Sequence, residues 1–277
     1  MKWLRALALL AFLPAPLFAA DLNRNVALKA PPLAELYCIW CGFYMGVNGG
    51  YGWGNGRVTA TGLDLNTQRV FGMAQRLGVP LAFGDSLSGG EAGLEGGYNY
   101  VFGPVVLGVA ADAQWADING SNNNVFKLTP TTTLTDTISQ KVEGFGTLRG
   151  TLGCACGTFM PYLTAGAVVA DVSTTGAAAI TTSRGVVPTI ANANPLAFSA
   201  QTSSDTIRGG WVWGGGFKWQ FSPRWEFGAE YLNLNLGTQN QLVTPAGLDV
   251  NLASRLNSIN VVRFSVDYIF PINQPFP

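Results

Sequence analysis

The 277-residue chain contains no histidine. That removes the commonest general base and the commonest metal ligand from any site the protein builds. Charge is scarce: 12% of the residues are Asp, Glu, Lys or Arg, about half the ~25% of ordinary soluble domains. Bases and acids balance at sixteen each, so there is no basic face for nucleic acid. Long apolar runs are also missing. Leu4 to Phe18 is interrupted by Pro14 and Pro16 and falls short of the ~20 residues of a helical span. It follows Lys2 and Arg5 and ends at Ala19-Ala20, the pattern of a cleaved secretory signal over residues 1–20 rather than a helical anchor. Without Lys2 and Arg5, fourteen bases face sixteen acids, and the mature chain carries a net charge of −2.

Glycine, by contrast, is abundant at 35 residues, well above the usual ~7%. Aromatic residues alternate with it and with charge. Trp211, Trp213, Phe217, Trp219 and Phe221 fall on one parity; Arg208, Lys218 and Gln220 fall on the other. After Ser222-Pro223, Trp225, Phe227, Ala229 and Tyr231 alternate with Glu226, Gly228 and Glu230. Period two on both sides of a tight turn predicts an antiparallel hairpin. A soluble barrel, such as a lipocalin, would bury the aromatic face. A membrane barrel turns it to lipid and keeps the charges in the lumen.

The same alternation recurs along the chain. It predicts strands from Phe43 to Trp53, Glu91 to Phe102, Val105 to Trp115, Val142 to Gly153, Met160 to Ser173, Arg208 to Phe221, Trp225 to Tyr231 and Asn260 to Phe270. The strand at Met160 is apolar on both faces until Asp171. Long connections at 57–88, 119–141, 174–204 and 237–257 alternate with short ones. The first of them has enough apolar residues for a short helix or a hairpin extension. An even strand count with long and short connections in strict alternation predicts an all-β fold, an eight-stranded antiparallel up-and-down transmembrane β-barrel with four long external loops and short periplasmic turns. Residues 21–41 then form an N-terminal periplasmic extension, 42–270 the barrel and 271–277 a C-terminal tail.

Gly42-Phe-Tyr-Met-Gly-Val-Asn-Gly-Gly-Tyr-Gly-Trp, Gly89-Gly-Glu-Ala-Gly-Leu-Glu-Gly-Gly-Tyr-Asn-Tyr, Thr147-Leu-Arg-Gly-Thr-Leu-Gly and Pro161-Tyr-Leu-Thr-Ala-Gly-Ala resemble, in order, strands of the small OmpA-like, porin-family outer-membrane barrels of alphaproteobacteria, often called surface antigens. Tyr268-Ile-Phe270 resembles the terminal aromatic signal of that family, although Pro271 to Pro277 follow it. The resemblance implies export through the Sec pathway, residence in the Gram-negative outer membrane, contact with its lipid and lipopolysaccharide, and recognition by the barrel-assembly machinery.

Several candidate sites follow from the facing. The lumen is expected to hold Glu91, Glu95, Asp112, Glu143, Arg149, Arg208, Lys218, Glu226, Glu230, Arg263 and Asp267, together with Gln114. Charges of both signs in so narrow a bore should pair. Acids exceed bases among these, so Tyr44, Asn48 or Asn99 is expected to help, and any residual permeation should favour cations. The competing expectation is a water path past Gly46, Gly50, Gly97, Gly214 and Gly216. The lipid-facing aromatics are Trp211, Trp213, Trp219, Phe221, Trp225, Phe227, Tyr268 and Phe270. Cys38, Cys41, Cys154 and Cys156 all fall at the periplasmic end, where oxidation favours disulfides of open connectivity. A four-cysteine zinc site and a thioredoxin-like redox pair are the alternatives.

No catalytic set emerges. Glu91/Glu95 and Glu226/Glu230 are each four residues apart on a strand, about 13 Å, too far for a carboxylate dyad. No enzyme, cofactor or metal is expected. A structural envelope protein with exposed loops, a small cation-preferring diffusion channel and a surface ligand binder are the three function classes left. An adhesin or a haem binder would belong to the last.

Overall fold

The computed structural model describes residues 38–130, 132–182, 198–243 and 249–271. The expected signal, the tail after Pro271 and most of the N-terminal extension lie outside these residues.

Among the described residues nine strands and one helix run in the order β1 (Gly42–Gly62), α1 (Leu65–Arg76), β2 (Ala82–Phe102), β3 (Val105–Thr129), β4 (Thr132–Cys154), β5 (Phe159–Thr182), β6 (Phe198–Ser222), β7 (Trp225–Asn235), β8 (Thr238–Val243) and β9 (Val250–Pro271). Neighbours pair antiparallel, β7 pairs with β9, and β1 pairs with β9 from Gly42↔Pro271 to Gly62↔Val250. The ring therefore closes on eight strands, β1 to β7 and β9. β8 is the continuation of β7 beyond Leu236 and Gly237, where Gly237 takes a positive φ of 66°. Closure leaves no unpaired edge at membrane depth, where lipid offers no hydrogen bonds.

The outward faces are those the alternation predicts. On β1, Phe43, Met45, Val47, Tyr51 and Trp53 are all exposed. Phe43 to Trp53 is about 33 Å of strand, which at the usual tilt makes an apolar band about 25 Å tall. All eight aromatics assigned to lipid point outward. At the periplasmic rim Trp225–Tyr268 and Tyr268–Phe270 pack edge to face, with centroids 5.2 and 5.0 Å apart.

The external segments differ from the expected loops. Over 57–88 both expected alternatives occur, with β1 and β2 extended and α1 between them, and β3 and β4 continue pairing through 119–141 as far as Thr129↔Thr132. A polar sequence in water can pair as a ladder without any apolar face, so alternation does not reveal it. Beyond the band the wall divides. β2 and β3 cease pairing at Ser88↔Asn119, and β6 and β7 at Trp211↔Asn235. Above those points β2, β1, β9 and β8 form one ladder and β3 to β6 another.

Asp64 caps α1, accepting hydrogen bonds from the backbone N–H groups of Asn66 and Thr67. The Thr67 hydroxyl, and after it those two N–H groups, holds the Asp64 carboxyl below its ordinary range. Gly78, at φ 82°, follows the helix.

Candidate functional site: the lumen

The lumen is filled in three layers. At the periplasmic mouth the Cys38–Cys41 disulfide closes a tight turn, with the two Cα atoms 5.3 Å apart. The turn holds Trp40 against Val101, Val106 and Met160. Trp40 Nε1 donates to Gly157 O at 2.8 Å, and Gln220 Nε2 donates to Ile39 O at 3.3 Å. A ring that buries its body and spends its only donor is anchored at both ends.

Above Trp40 lies the ionic layer. Arg149 reaches Asp112 at 2.8 Å and Glu230 at 2.9 Å. Arg263 reaches Asp112 at 3.1 Å and also bonds Glu230 through Nε. Thr147 and Tyr162 donate their hydroxyls to Asp112 and Glu230. A second group centres on Lys218, which lies 2.5 Å from Glu226, 2.9 Å from Asp267 and 3.8 Å from Glu95. Its ammonium sits over the Tyr44 ring, 3.7 Å from the centroid. Asn48 Nδ2 donates to Glu95 at 2.8 Å. Arg263 joins the two groups through Glu95 at 3.9 Å. Three cations thus face five carboxylates, a formal excess of −2.

The third layer is apolar. Leu87, Ile118, Val142, Phe145, Val168 and Val212 meet Leu232, Leu234, Leu256, Ile259 and Val261. β1 contributes glycine here. A Cβ on Gly52 would lie 2.5 Å from Ile118 Cδ1, so the glycine makes room for the Ile118 side chain where it sits. The glycine water path is occupied in the same way lower down. A Cβ on Gly97 would lie 2.5 Å from Tyr44 Oη.

Eight of the eleven charges assigned to the lumen therefore meet in one ion-pair network. The other three do not. Glu91 is buried, and neither of its carboxylate oxygens has a hydrogen-bond partner. Arg208 is buried above the network, where it donates to Ser254 O and Oγ, and Gln140 donates to the same Oγ. Glu143 faces outward, contrary to expectation, because the β4–β5 register shifts between Val142 and Gly144. The bulge inserts one residue and reverses parity beyond Phe145, so Val142 takes the inward place that Glu143 would have had. Gln114 is buried as expected. Asn48 is the helper that bonds a network carboxylate.

The apolar layer and the Trp40 plug were missed. The one visible sign of the apolar layer was the strand from Met160, apolar on both faces until Asp171. Cys154 and Cys156 lie exposed in the β4–β5 turn with their Sγ atoms 3.0 Å apart as free thiols. No group of three or more metal-binding side chains occurs among the described residues.

Over 235 residues the chain is 28% identical to the 31 kDa outer-membrane immunogenic protein of Brucella melitensis, covering 83% of this chain and 84% of the relative. The Brucella suis protein of the same description matches equally. Among solved structures, the outer membrane protein OprG of Pseudomonas aeruginosa is similar at 11% identity and a TM-score of 0.44, over 84% of this chain and 97% of OprG. Ail, the attachment invasion locus protein of Yersinia pestis, is similar at 12% identity and a TM-score of 0.31, over 83% of this chain and 99% of Ail. Residues 6–270 match the outer membrane protein β-barrel domain family. Sequence alternation, ring closure and an outward apolar band agree with that match, and the chain belongs to this family of outer-membrane β-barrels.

Proposed function

We propose that the protein is a closed envelope barrel, not a channel, and that its working surface is the part outside the bilayer. The observation that carries this reading is the lumen itself, occupied in sequence by Trp40, by the ionic network and by the apolar layer. A water-filled path would have to cross all three. The apolar layer offers a permeating ion no polar partner and so resists it most. A surface role is favoured by strands that run well past the apolar band, β3 alone reaching Thr129 from Trp115. The Brucella relative is an immunogenic outer-membrane protein, and the same surface exposure is proposed for these extensions. The reading also includes Sec-dependent export by residues 1–20 and recognition of the terminal strand by the barrel-assembly machinery.

Planar-bilayer recording of the refolded monomer tests the closed lumen. The expected outcome is no steady conductance. A steady, porin-sized current from monomers would overturn the reading and favour the diffusion channel.

A further inference from the structure

We infer that Arg57 and Arg255 form an anion site on the outer wall, one that grips a phosphate of the glycolipid in the outer leaflet. The two residues are directly paired across β1 and β9. Both are exposed and outward-facing. Directly opposed residues of an antiparallel pair have Cβ atoms about 5 Å apart, and like charges there repel. Neither arginine has an ion-pair partner among the described residues. Their ladder neighbours at the same level, Gly84 on β2 and Thr238 on β8, carry no charge. Along the outward face Asn55 and Thr59 flank Arg57, and Ala253 and Ser258 flank Arg255. An unneutralised guanidinium pair surrounded by hydroxyl and amide groups suits a single shared anion. The planar fork of each guanidinium binds phosphate oxygens two at a time.

The height of the pair selects the anion. Trp53 is the last apolar ring on the outward face of β1. Arg57 is four residues beyond it, about 13 Å along the strand and about 10 Å in height at the usual tilt. That is the level of lipid headgroups. The opposite sector of the rim has the other sign. Asp117 on β3, Asp171 on β5 and Asp205 on β6 each lie two residues beyond an exposed apolar side chain, Trp115, Val169 and Ile207, and Glu143 on β4 is exposed beside them; among the described residues only Asp117 of these acids has an ion pair, with Lys141 at 3.1 Å. At this level an anionic headgroup is therefore drawn to the β1–β9 side. The site lies outside the lumen, so it stands or falls independently of whether the barrel conducts.

The test uses full-length protein refolded in zwitterionic detergent, with binding read by native mass spectrometry and by the shift in thermal unfolding. The probes are lipid A with both phosphates, the same lipid A without phosphates, and inorganic phosphate alone. Wild type should bind the phosphorylated lipid A and discriminate against the dephosphorylated form. The R57A/R255A variant should bind it at least about tenfold more weakly, the loss expected from one charged hydrogen-bonded contact. R57K/R255K should retain part of the affinity, and Lys127→Ala should match wild type. Heat-modifiable gel migration checks that each variant is folded, and R57Q/R255Q substitutes for the alanine variant should that one fail. Equal binding of the two lipids, or unaltered binding by the folded double variant, would overturn the site. Equally tight binding of inorganic phosphate would overturn the lipid as its occupant.

Discussion

Replacing Arg263 by Ala removes the side chain that joins the two halves of the lumen network. Arg263 is 1% exposed and faces three carboxylates, those of Asp112, Glu230 and Glu95. After the substitution Arg149 alone faces Asp112 and Glu230, and the formal excess of the network rises from −2 to −3. Removing one partner of a buried pair costs about 3–5 kcal/mol, because the remaining charge is left desolvated and uncompensated. The upper part of that range is expected, since several acids lose a partner at once. Arg263→Met retains most of the volume and should lose nearly as much, which separates charge from packing. Adding Glu230→Gln to Arg263→Met should recover part of the loss, a coupling that independent sites would not show. The assay is equilibrium urea unfolding in lipid vesicles, followed by tryptophan fluorescence and by the heat-modifiable band. A loss below about 1 kcal/mol in both single variants, the scale of exposed pairs, would refute the reasoning. Conductance should stay absent in Arg263→Ala, because Trp40 below and the apolar layer above are untouched.

Ala229 faces lipid between the rings of Phe217 and Phe264 on its neighbouring strands, so Ala229→Arg should destabilise the barrel by about 2–4 kcal/mol; Ser121→Arg, on the exposed extension of β3, should be near neutral, and equal refolding yields would contradict the assigned facing. Cys38 and Cys41 are joined whereas Cys154 and Cys156 are free and exposed, so alkylation under non-reducing, denaturing conditions should label two of the four cysteines; labelling of all four, or of none, would refute that pairing. The Asp64 cap should support α1 above about pH 4, the ordinary carboxylate range. Its folded value is depressed, so that support should fade as pH falls through the lower folded value; amide exchange over 65–76 that stays constant down to pH 2 would refute it.

The wall of the barrel was legible because parity alone determines facing on an uninterrupted strand. Trp211 to Phe221 and Lys218 to Gln220 could be assigned from spacing, and so could most of the network. Glu143 could not, because one inserted residue between Val142 and Gly144 switches the parity and leaves no compositional trace. The apolar layer was hidden for a different reason. Val168, Ala170 and Val172 point inward while Val169 points outward, and a strand apolar on both faces fits a soluble core equally well. Trp40 reaches Gly157 across 117 residues, and no local pattern announces a partner so distant. The Arg57–Arg255 pair depends on the register of the first strand against the last, which only closure defines.

That closure also bears on how the barrel is assembled. The network draws on β2, β3, β4, β6, β7 and β9, and its bonds join Asp112 to Arg263 across 151 residues and Arg149 to Glu230 across 81. A partly built sheet can hold hairpin ladders, but its carboxylates and guanidinium groups have no opposite wall to meet. Hairpin contacts such as Lys218–Glu226 can form early, but the bonds that cross the lumen contribute only when β9 returns to β1, and then together. Folding should be cooperative and late, with the largest part of the loop-closure entropy met before the lumen contacts repay it. A chain cut in any connection and supplied as two pieces would have to bring both to the membrane together before either gained the stability of the whole.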